Sequence, residues 1–250
     1  MIVLIIGKER MMKKVKRFFL AGLLLVGATA AWAQDEIETT VSGDVVSSYI
    51  WRGQDLGDVS LQPTLGVSYK GLSLTAWGSV GLTDPFDTKE FDLTLSYTTG
   101  GLNIGITDYW FDAGLDPDAR YFKYDAHGTN HVFEANIGYD FGVASVQWFT
   151  NFAGNDGINK DGERAYSSYA EVVVPFKLSA IDWTATVGAV PYATSFYNDW
   201  TSGFAVTNVS LKATKDIKVT DSFSIPVFGQ IAANPCTQKA YLVFGFTLQP

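Results

Sequence analysis

Cysteine is nearly absent. The 250 residues hold one, Cys236, which excludes an intramolecular disulfide and any cysteine-rich metal site. Histidine is almost as scarce, at His127 and His131. A His-x3-His pair shares one face only in a helix, which Gly128 between them disfavours. The segment His127-Gly-Thr-Asn-His131 has no serine of its own, so a hydrolase would have to bring Ser73 or Ser79 to His131, and a surface protease would need Asp84 and Asp87 beside it. Asn155 to Gly162 has the composition of a calcium loop. With Gly162 at the turn position, however, Gly157 stands where the first Asp belongs and Ser168 where the bidentate Glu belongs. The expectation is a protein with no metal, no cofactor and no catalytic residue.

Long apolar runs are missing as well, with one exception near the start. Phe18 to Ala28 is apolar, Lys13, Lys14, Lys16 and Arg17 precede it, and Ala31-Trp-Ala33 follows with small residues where a signal peptidase reads them. The run is shorter than the roughly 20 residues a membrane-spanning helix needs. It reads as a secretory signal with cleavage before Gln34. The apolar residues before Met11 have no place in such a signal, so translation is expected to start at Met11 or Met12. Residues 1–33 are set apart from the fold, and 34–250 form one domain.

An excess of basic charge is also lacking. The first 33 residues carry six of the 18 Lys and Arg and one of the 26 Asp and Glu, leaving 12 basic against 25 acidic residues in the mature chain. A partner made of nucleic acid is excluded on that balance.

What the chain does have is period two. In Phe91-Asp-Leu-Thr-Leu-Ser-Tyr97 apolar and polar residues alternate, which sets one side chain of each pair on either face of a strand. The same alternation recurs over 40–52, 60–70, 72–82, 90–100, 102–111, 131–140, 143–153, 165–176, 182–191, 203–214, 222–232 and 238–248. These are twelve expected strands. The phase is insecure in the seventh, and in the tenth it slips near Asn208. Long polar connections alternate with short ones such as Lys70-Gly71 and Gly100-Gly101 through the whole chain. A soluble sandwich, the competing all-β reading, has no need of that order. A closed up-and-down transmembrane barrel with short periplasmic turns and long extracellular loops does.

Aromatic residues follow the same plan. Tyr69, Tyr97, Tyr139, Phe176, Trp183 and Phe223 fall on outward positions beside short turns. Tyr49, Trp51, Phe91, Phe133 and Tyr166 fall on outward positions at the long-loop ends. Two belts of rings at headgroup level are expected, because such rings sit in hydrocarbon while their polar atoms stay hydrated. In this phasing Arg52 points into the lumen. The other ionisable groups turned inward are Asp44, Asp92, Glu134, Glu171 and Lys212, an acidic majority that should favour cations. Arg52 and Asp92 are expected near the outer mouth, in reach of solvent. The remaining inward positions are mostly Ser, Thr and Asn, which leave room for water unless the longest connection, Asp112 to Asn130, folds in and plugs the barrel.

Tyr49-Ile-Trp-Arg-Gly53, Pro63 in the second strand and Ala76-Trp-Gly-Ser79 in the third resemble the opening of the TorF-like porins, small outer-membrane barrels of Gram-negative bacteria. The resemblance covers about the first 50 mature residues. It implies a pore-forming role without naming a solute. It also implies insertion by the barrel-assembly machinery, which reads an aromatic near the C-terminus; here the chain ends Phe244-Gly-Phe-Thr-Leu-Gln-Pro250, and Phe244 or Phe246 would serve.

The expected function is passive diffusion of small hydrophilic solutes across the bacterial outer membrane, in contact with membrane lipid and lipopolysaccharide. A plugged barrel acting through its loops as a surface or structural protein is the alternative, with an outer-membrane hydrolase as the third reading. The carboxylates Asp112, Asp116, Asp118 and Asp125 read as a solvated loop, with divalent cations bridging lipopolysaccharide phosphates as the alternative.

Overall fold

A computed structural model describes residues 37–112, 118–126, 128–197, 203–221 and 223–250. Residues 1–33, expected as a secretory signal, His127 and Asp116 lie outside the described residues. Residues 38–250 form one compact unit.

Twelve strands close into an antiparallel barrel in chain order. They are β1 (Ile37–Val46), β4 (Ser60–Tyr69), β5 (Leu72–Gly81), β6 (Lys89–Thr99), β7 (Leu102–Asp112), β8 (His131–Asp140), β9 (Ser145–Gly154), β10 (Ser168–Leu178), β11 (Ile181–Val190), β12 (Ala205–Lys218), β13 (Ser224–Asn234) and β14 (Lys239–Leu248). Closure comes from β1 pairing with β14 in the register Asp44 to Thr247. Two further short strands, β2 (Tyr49–Trp51) and β3 (Gln54–Gly57), pair only with each other. The twelve-strand reading and the all-β class therefore hold, with one change. The first expected strand does not run on to residue 52; it stops at Val46, and β2 and β3 form a separate hairpin.

The turns explain the chain order. Lys70-Gly71, Gly100-Gly101 and Ser179-Ala180 each join adjacent strands through two residues, all with positive φ. That pair of dihedrals is the primed turn whose twist matches the twist of the flanking strands. At the other end the connections are long, and the side chains there are the most buried in the molecule.

Two bulges account for the strands whose phase the sequence leaves insecure. In β9 the register with β8 steps from Phe133–Ala153 to Glu134–Asn151, leaving Phe152 unpaired. In β12 the register with β11 steps from Gly188–Asn208 to Ala189–Val206, leaving Thr207 unpaired. A bulge adds one residue to one strand and resets its alternation.

The outer face is apolar and open. Leu65, Leu95, Ile106, Ile137, Ile231 and Leu242 are each about half exposed or more, and they recur around the whole wall. In water so large an apolar surface would be an aggregation hazard. In hydrocarbon it is the required solvent-facing layer of a transmembrane barrel.

Adjacent residues on β6 test this assignment. Leu95 faces outward at 51 % exposure, whereas Ser96 faces inward with its hydroxyl 2.7 Å from that of Ser73. Arginine on the lipid face near mid-depth costs about 2–4 kcal/mol, while an inward arginine loses little beyond one hydroxyl pair. Leu95→Arg is expected to reduce the folded fraction, read by heat-modifiable gel mobility, far more than Ser96→Arg. Equal effects would overturn the assigned faces.

Candidate functional site: the lumen and its inward hairpin

The β2–β3 hairpin turns at Arg52-Gly53, both with positive φ, the same two-residue turn that closes the opposite end of the barrel. Its residues make their contacts inside the barrel. Tyr49 is 8 % exposed; its hydroxyl donates to Glu90 on β6 at 3.0 Å, and its ring lies 5.5 Å from that of Trp77 on β5. Trp51 stacks on Tyr197 at 6.1 Å and meets the edges of Tyr109 and Phe196. The expectation that Tyr49 and Trp51 form part of a lipid-facing belt is therefore wrong. It assumed one continuous strand to residue 52, whereas the chain bends at Ser47-Ser48 and starts a new phase.

The hairpin tip is tied to the wall at β13, two strands from β1. The Asn234 side chain on β13 donates to the Gly53 carbonyl at 3.1 Å. A Cβ on Gly53 would overlap the carbonyl of Thr207, the bulged residue of β12. Only glycine meets both requirements at that point, positive φ and backbone contact.

Arg52 occupies the centre of this arrangement. Its guanidinium grips Glu134 on β8 with two hydrogen bonds, Nη1 to Oε2 at 2.5 Å and Nη2 to Oε1 at 2.9 Å, the bidentate geometry that only arginine offers a carboxylate. Nη1 also donates to the Tyr197 hydroxyl at 2.5 Å. The Tyr109 hydroxyl donates to Glu134 Oε1 at 2.9 Å. Ring faces surround the cation, with Cζ 4.0 Å from the centroid of Phe149, 4.3 Å from Trp51 and 4.7 Å from Tyr169. Burial pushes the Tyr197 hydroxyl above its ordinary range and keeps it neutral, with the neighbouring guanidinium pulling the other way. Tyr169 fits here because it lies over Gly188, where any Cβ would overlap its hydroxyl.

Arg52 and Asp92 are thus buried, at 9 % and 7 % exposure, and not screened by solvent at an open mouth. Asp92 lies between Trp77 and Tyr109 in the strand register, and its Oδ1 has no partner among the described residues. Glu171 is half-buried on β10, with Gln147 and Gly188 as its register neighbours. Asp44 accepts a hydrogen bond from the Thr247 hydroxyl at 2.6 Å. It shares a lumenal cavity of about 150 Å³ with Lys212, Gln62 and Gln230, under Tyr49 and Ile50 of the hairpin. Lys212 sets its ammonium 3.9 Å above the Phe228 ring.

Several lumenal residues escape a reading of alternation. Glu90 stands on the same parity as Asp92 and was there to be found. Phe149 and Asn151 precede the bulge in β9, a strand whose phase the sequence leaves insecure, and Tyr197 comes from the connection between β11 and β12, which no periodicity describes. The wall is thus bulkier at the long-loop end than its Ser and Thr positions suggest.

Of the residues expected to form the short-turn belt, Tyr69, Tyr97, Tyr139, Phe176 and Phe223 are each 38–48 % exposed, and Trp183 stacks on Phe176. At the long-loop end Tyr166 is exposed, while Phe91 and Phe133 lie on the outer face beneath another connection. That connection is the one expected as a plug. Among its described residues, Tyr121 and Tyr124 pack against the outside of the wall: Tyr121 meets Phe91, Trp110 and His131, and Tyr124 stacks on His131 at 4.2 Å. His131 fixes it there, with Nδ1 2.7 Å from Asp108 and Nε2 2.6 Å from the Tyr121 carbonyl. His131 is thus turned away from the lumenal Ser73 and Ser79. Asp112 faces Lys89 and Asp125 faces Lys123; no group of three metal-ligating side chains occurs among the described residues.

The fold and its lumen define the chain as a transmembrane β-barrel of twelve strands with an inward hairpin. No family model matches the sequence, and no curated protein does. Among solved structures it is similar to an outer-membrane channel of Pseudomonas putida F1 described as COG4313, at 12 % identity over 86 % of this chain and 95 % of that one, with a TM-score of 0.40. It is similar also to CdiB from Acinetobacter baumannii, at 12 % identity over 87 % of this chain and 60 % of that one, TM-score 0.39. A third is the outer-membrane protein OprD of Pseudomonas aeruginosa, at 10 % identity over 86 % and 65 %, TM-score 0.33.

Proposed function

We propose that this protein is an outer-membrane, porin-like channel for passive diffusion of small hydrophilic solutes, weakly cation-preferring, with the β2–β3 hairpin as its constriction. The single observation that carries the reading is a closed barrel with an apolar outside and an ionisable, polar inside. Twelve strands spaced about 4.8 Å apart and tilted about 40° make a backbone wall of about 12 Å radius, too wide for Ser, Thr and Asn side chains to meet across it. Water therefore fills what the hairpin does not. At the constriction Glu134 is neutralised by Arg52 and Glu90 and Asp92 are buried, so the acidic excess rests on half-buried Glu171, and a carboxylate inside a low-dielectric membrane concentrates cations. Export through the segment before Gln34, lipopolysaccharide around the belt and kinship with the TorF-like porins belong to the same proposal. The residues that carry that resemblance, Tyr49 to Gly53 and Trp77, are those of the hairpin and its seat.

The second reading, a plugged barrel with a surface or structural role, is favoured by the same hairpin if it never leaves the lumen. Planar-bilayer recording of the refolded protein separates the two. The channel reading expects discrete conductance, and a reversal potential in a KCl gradient that indicates a modest preference for cations. Glu171→Gln, at the half-buried acid on β10, is expected to shrink that preference with the barrel still folded. Absence of any conductance would favour the plug, and an anion-selective wild type would overturn the charge argument.

A further inference from the structure

We propose that the recess around Arg52 is a recognition site for guanidinium-bearing cations, and that Arg52 is its tethered occupant, for which a solute of the same chemistry substitutes. This names the solute class for the channel proposed above and rests on that reading for its effect on current, although the binding itself can be measured without one.

The recess has every element that a planar cation needs. Glu134 presents both carboxylate oxygens to a two-pronged donor, at 2.5 and 2.9 Å, and Tyr109 orients it. Phe149 and Tyr169 of the wall offer ring faces at 4.0 and 4.7 Å, where a desolvated cation–π contact is strongest. A compact ammonium satisfies neither the fork nor the stacking.

An independent feature points to a ligand larger than the Arg52 head group alone. Asn151 stands opposite Glu134 in the β8–β9 register and is fully buried, yet neither its Nδ2 nor its Oδ1 has a partner among the described residues. Leaving a buried amide donor and acceptor unmet costs stability that an apolar residue there would avoid. A bound solute carrying a polar group beside its guanidinium would satisfy them.

Arg52 belongs to a hairpin joined covalently to the barrel only at its ends and held otherwise by the Tyr49–Glu90 and Asn234–Gly53 hydrogen bonds, so it competes as an intramolecular ligand at an effective concentration of about millimolar or above. A solute in the same range displaces it and carries the hairpin with it. Only solutes able to replace the arginine would then widen their own path.

The test uses the refolded full-length barrel in detergent micelles, with ethylguanidinium chloride as probe, ethylammonium chloride as control and intrinsic tryptophan fluorescence as readout. Arg52→Ala is expected to bind ethylguanidinium saturably, roughly tenfold or more tightly than ethylammonium, and Arg52→Ala/Glu134→Gln is expected to lose that binding. Wild type should bind it more weakly than Arg52→Ala, because Arg52 competes. Should Arg52→Ala fail to show folded gel mobility, Arg52→Gln, which keeps the length of the side chain and loses its fork, serves the same comparison. A folded variant without saturable binding, equal binding of ethylammonium, or equal binding by wild type would each overturn the proposal. Bilayer recording keeps the two readings apart: a silent barrel that still binds ethylguanidinium sinks the channel and leaves the site, whereas a conducting barrel that does not bind it sinks the site and leaves the channel.

Discussion

Excising residues 49–57 and bridging β1 to β4 with a short Gly-Ser connection is expected to raise single-channel conductance several-fold and to abolish most of the discrimination between small and large hydrophilic solutes. The reason is where the hairpin's bulk lies. Tyr49 and Arg52 are buried and Trp51 is half-buried in the lumen, where Arg52 reaches Glu134 on β8 and Phe149 on β9, across the barrel from β1, and the tip is tied to Asn234 on β13. No wall strand pairs with β2 or β3, whose only ladder is with each other. Their loss therefore leaves all twelve barrel strands with their partners, including β1 against β14. The cost falls on lumenal packing: Phe149, Tyr169 and Tyr197 lose the guanidinium and indole they stack on. Liposome swelling with a graded series of sugars and bilayer recording provide the measurement. A variant that folds, as judged by gel mobility, and conducts no better than wild type would show that the constriction lies elsewhere in the lumen.

How far the sequence carries this picture depends on what alternation can and cannot express. Period two locates eleven of the twelve wall strands to within four residues at each end, because a wall strand separates lipid from lumen and must alternate to do so. The order of short and long connections follows from the same geometry. At Tyr49 and Trp51 the rule fails for a physical reason. A hairpin inside a lumen is enclosed on both faces, so its alternation carries no information about lipid. A local signal did exist in Arg52-Gly53, a dipeptide that suits a two-residue primed turn as Lys70-Gly71 does, sitting where a long external connection was expected. The slip near Asn208 was another, since it marks the bulge at Thr207 on which Gly53 rests. Tyr197 and the outward packing of Tyr121 and Tyr124 left no trace in periodicity, because both depend on how long connections fold back across strands distant in sequence.

Glu134→Ala is expected to destabilise the hairpin without unfolding the barrel, and to do so more than any other single substitution at the constriction. Arg52 and Glu134 bury their charged side chains to 7 % and 2 % exposure, so the pair is not relieved by solvent as a surface pair would be. Removing one partner of such a pair costs about 3–5 kcal/mol, because the remaining charge stays buried and uncompensated. That cost falls on whichever unit yields first. The wall strands are held by continuous ladders on both sides, whereas the hairpin keeps mainly the Tyr49 hydroxyl on Glu90, the Asn234 amide on the Gly53 carbonyl and its ring contacts. The charge is relieved most cheaply by withdrawing Arg52 to water and taking the hairpin along. Bilayer traces of Glu134→Ala should therefore show larger, noisier currents, and a protease acting from the long-loop end should cut between Tyr49 and Gly57 where it spares wild type. Glu134→Gln keeps one acceptor and the shape of the side chain, and should fall between the two. Arg52→Ala/Glu134→Ala removes both charges and leaves Trp51 and Tyr49 to hold the hairpin, so it should behave more like wild type than Glu134→Ala alone, a coupling that a double-mutant cycle reads directly. If Glu134→Ala matched wild type in current and cleavage, or if the double variant were as disturbed as the single, the ion pair would not be what holds the hairpin in the lumen.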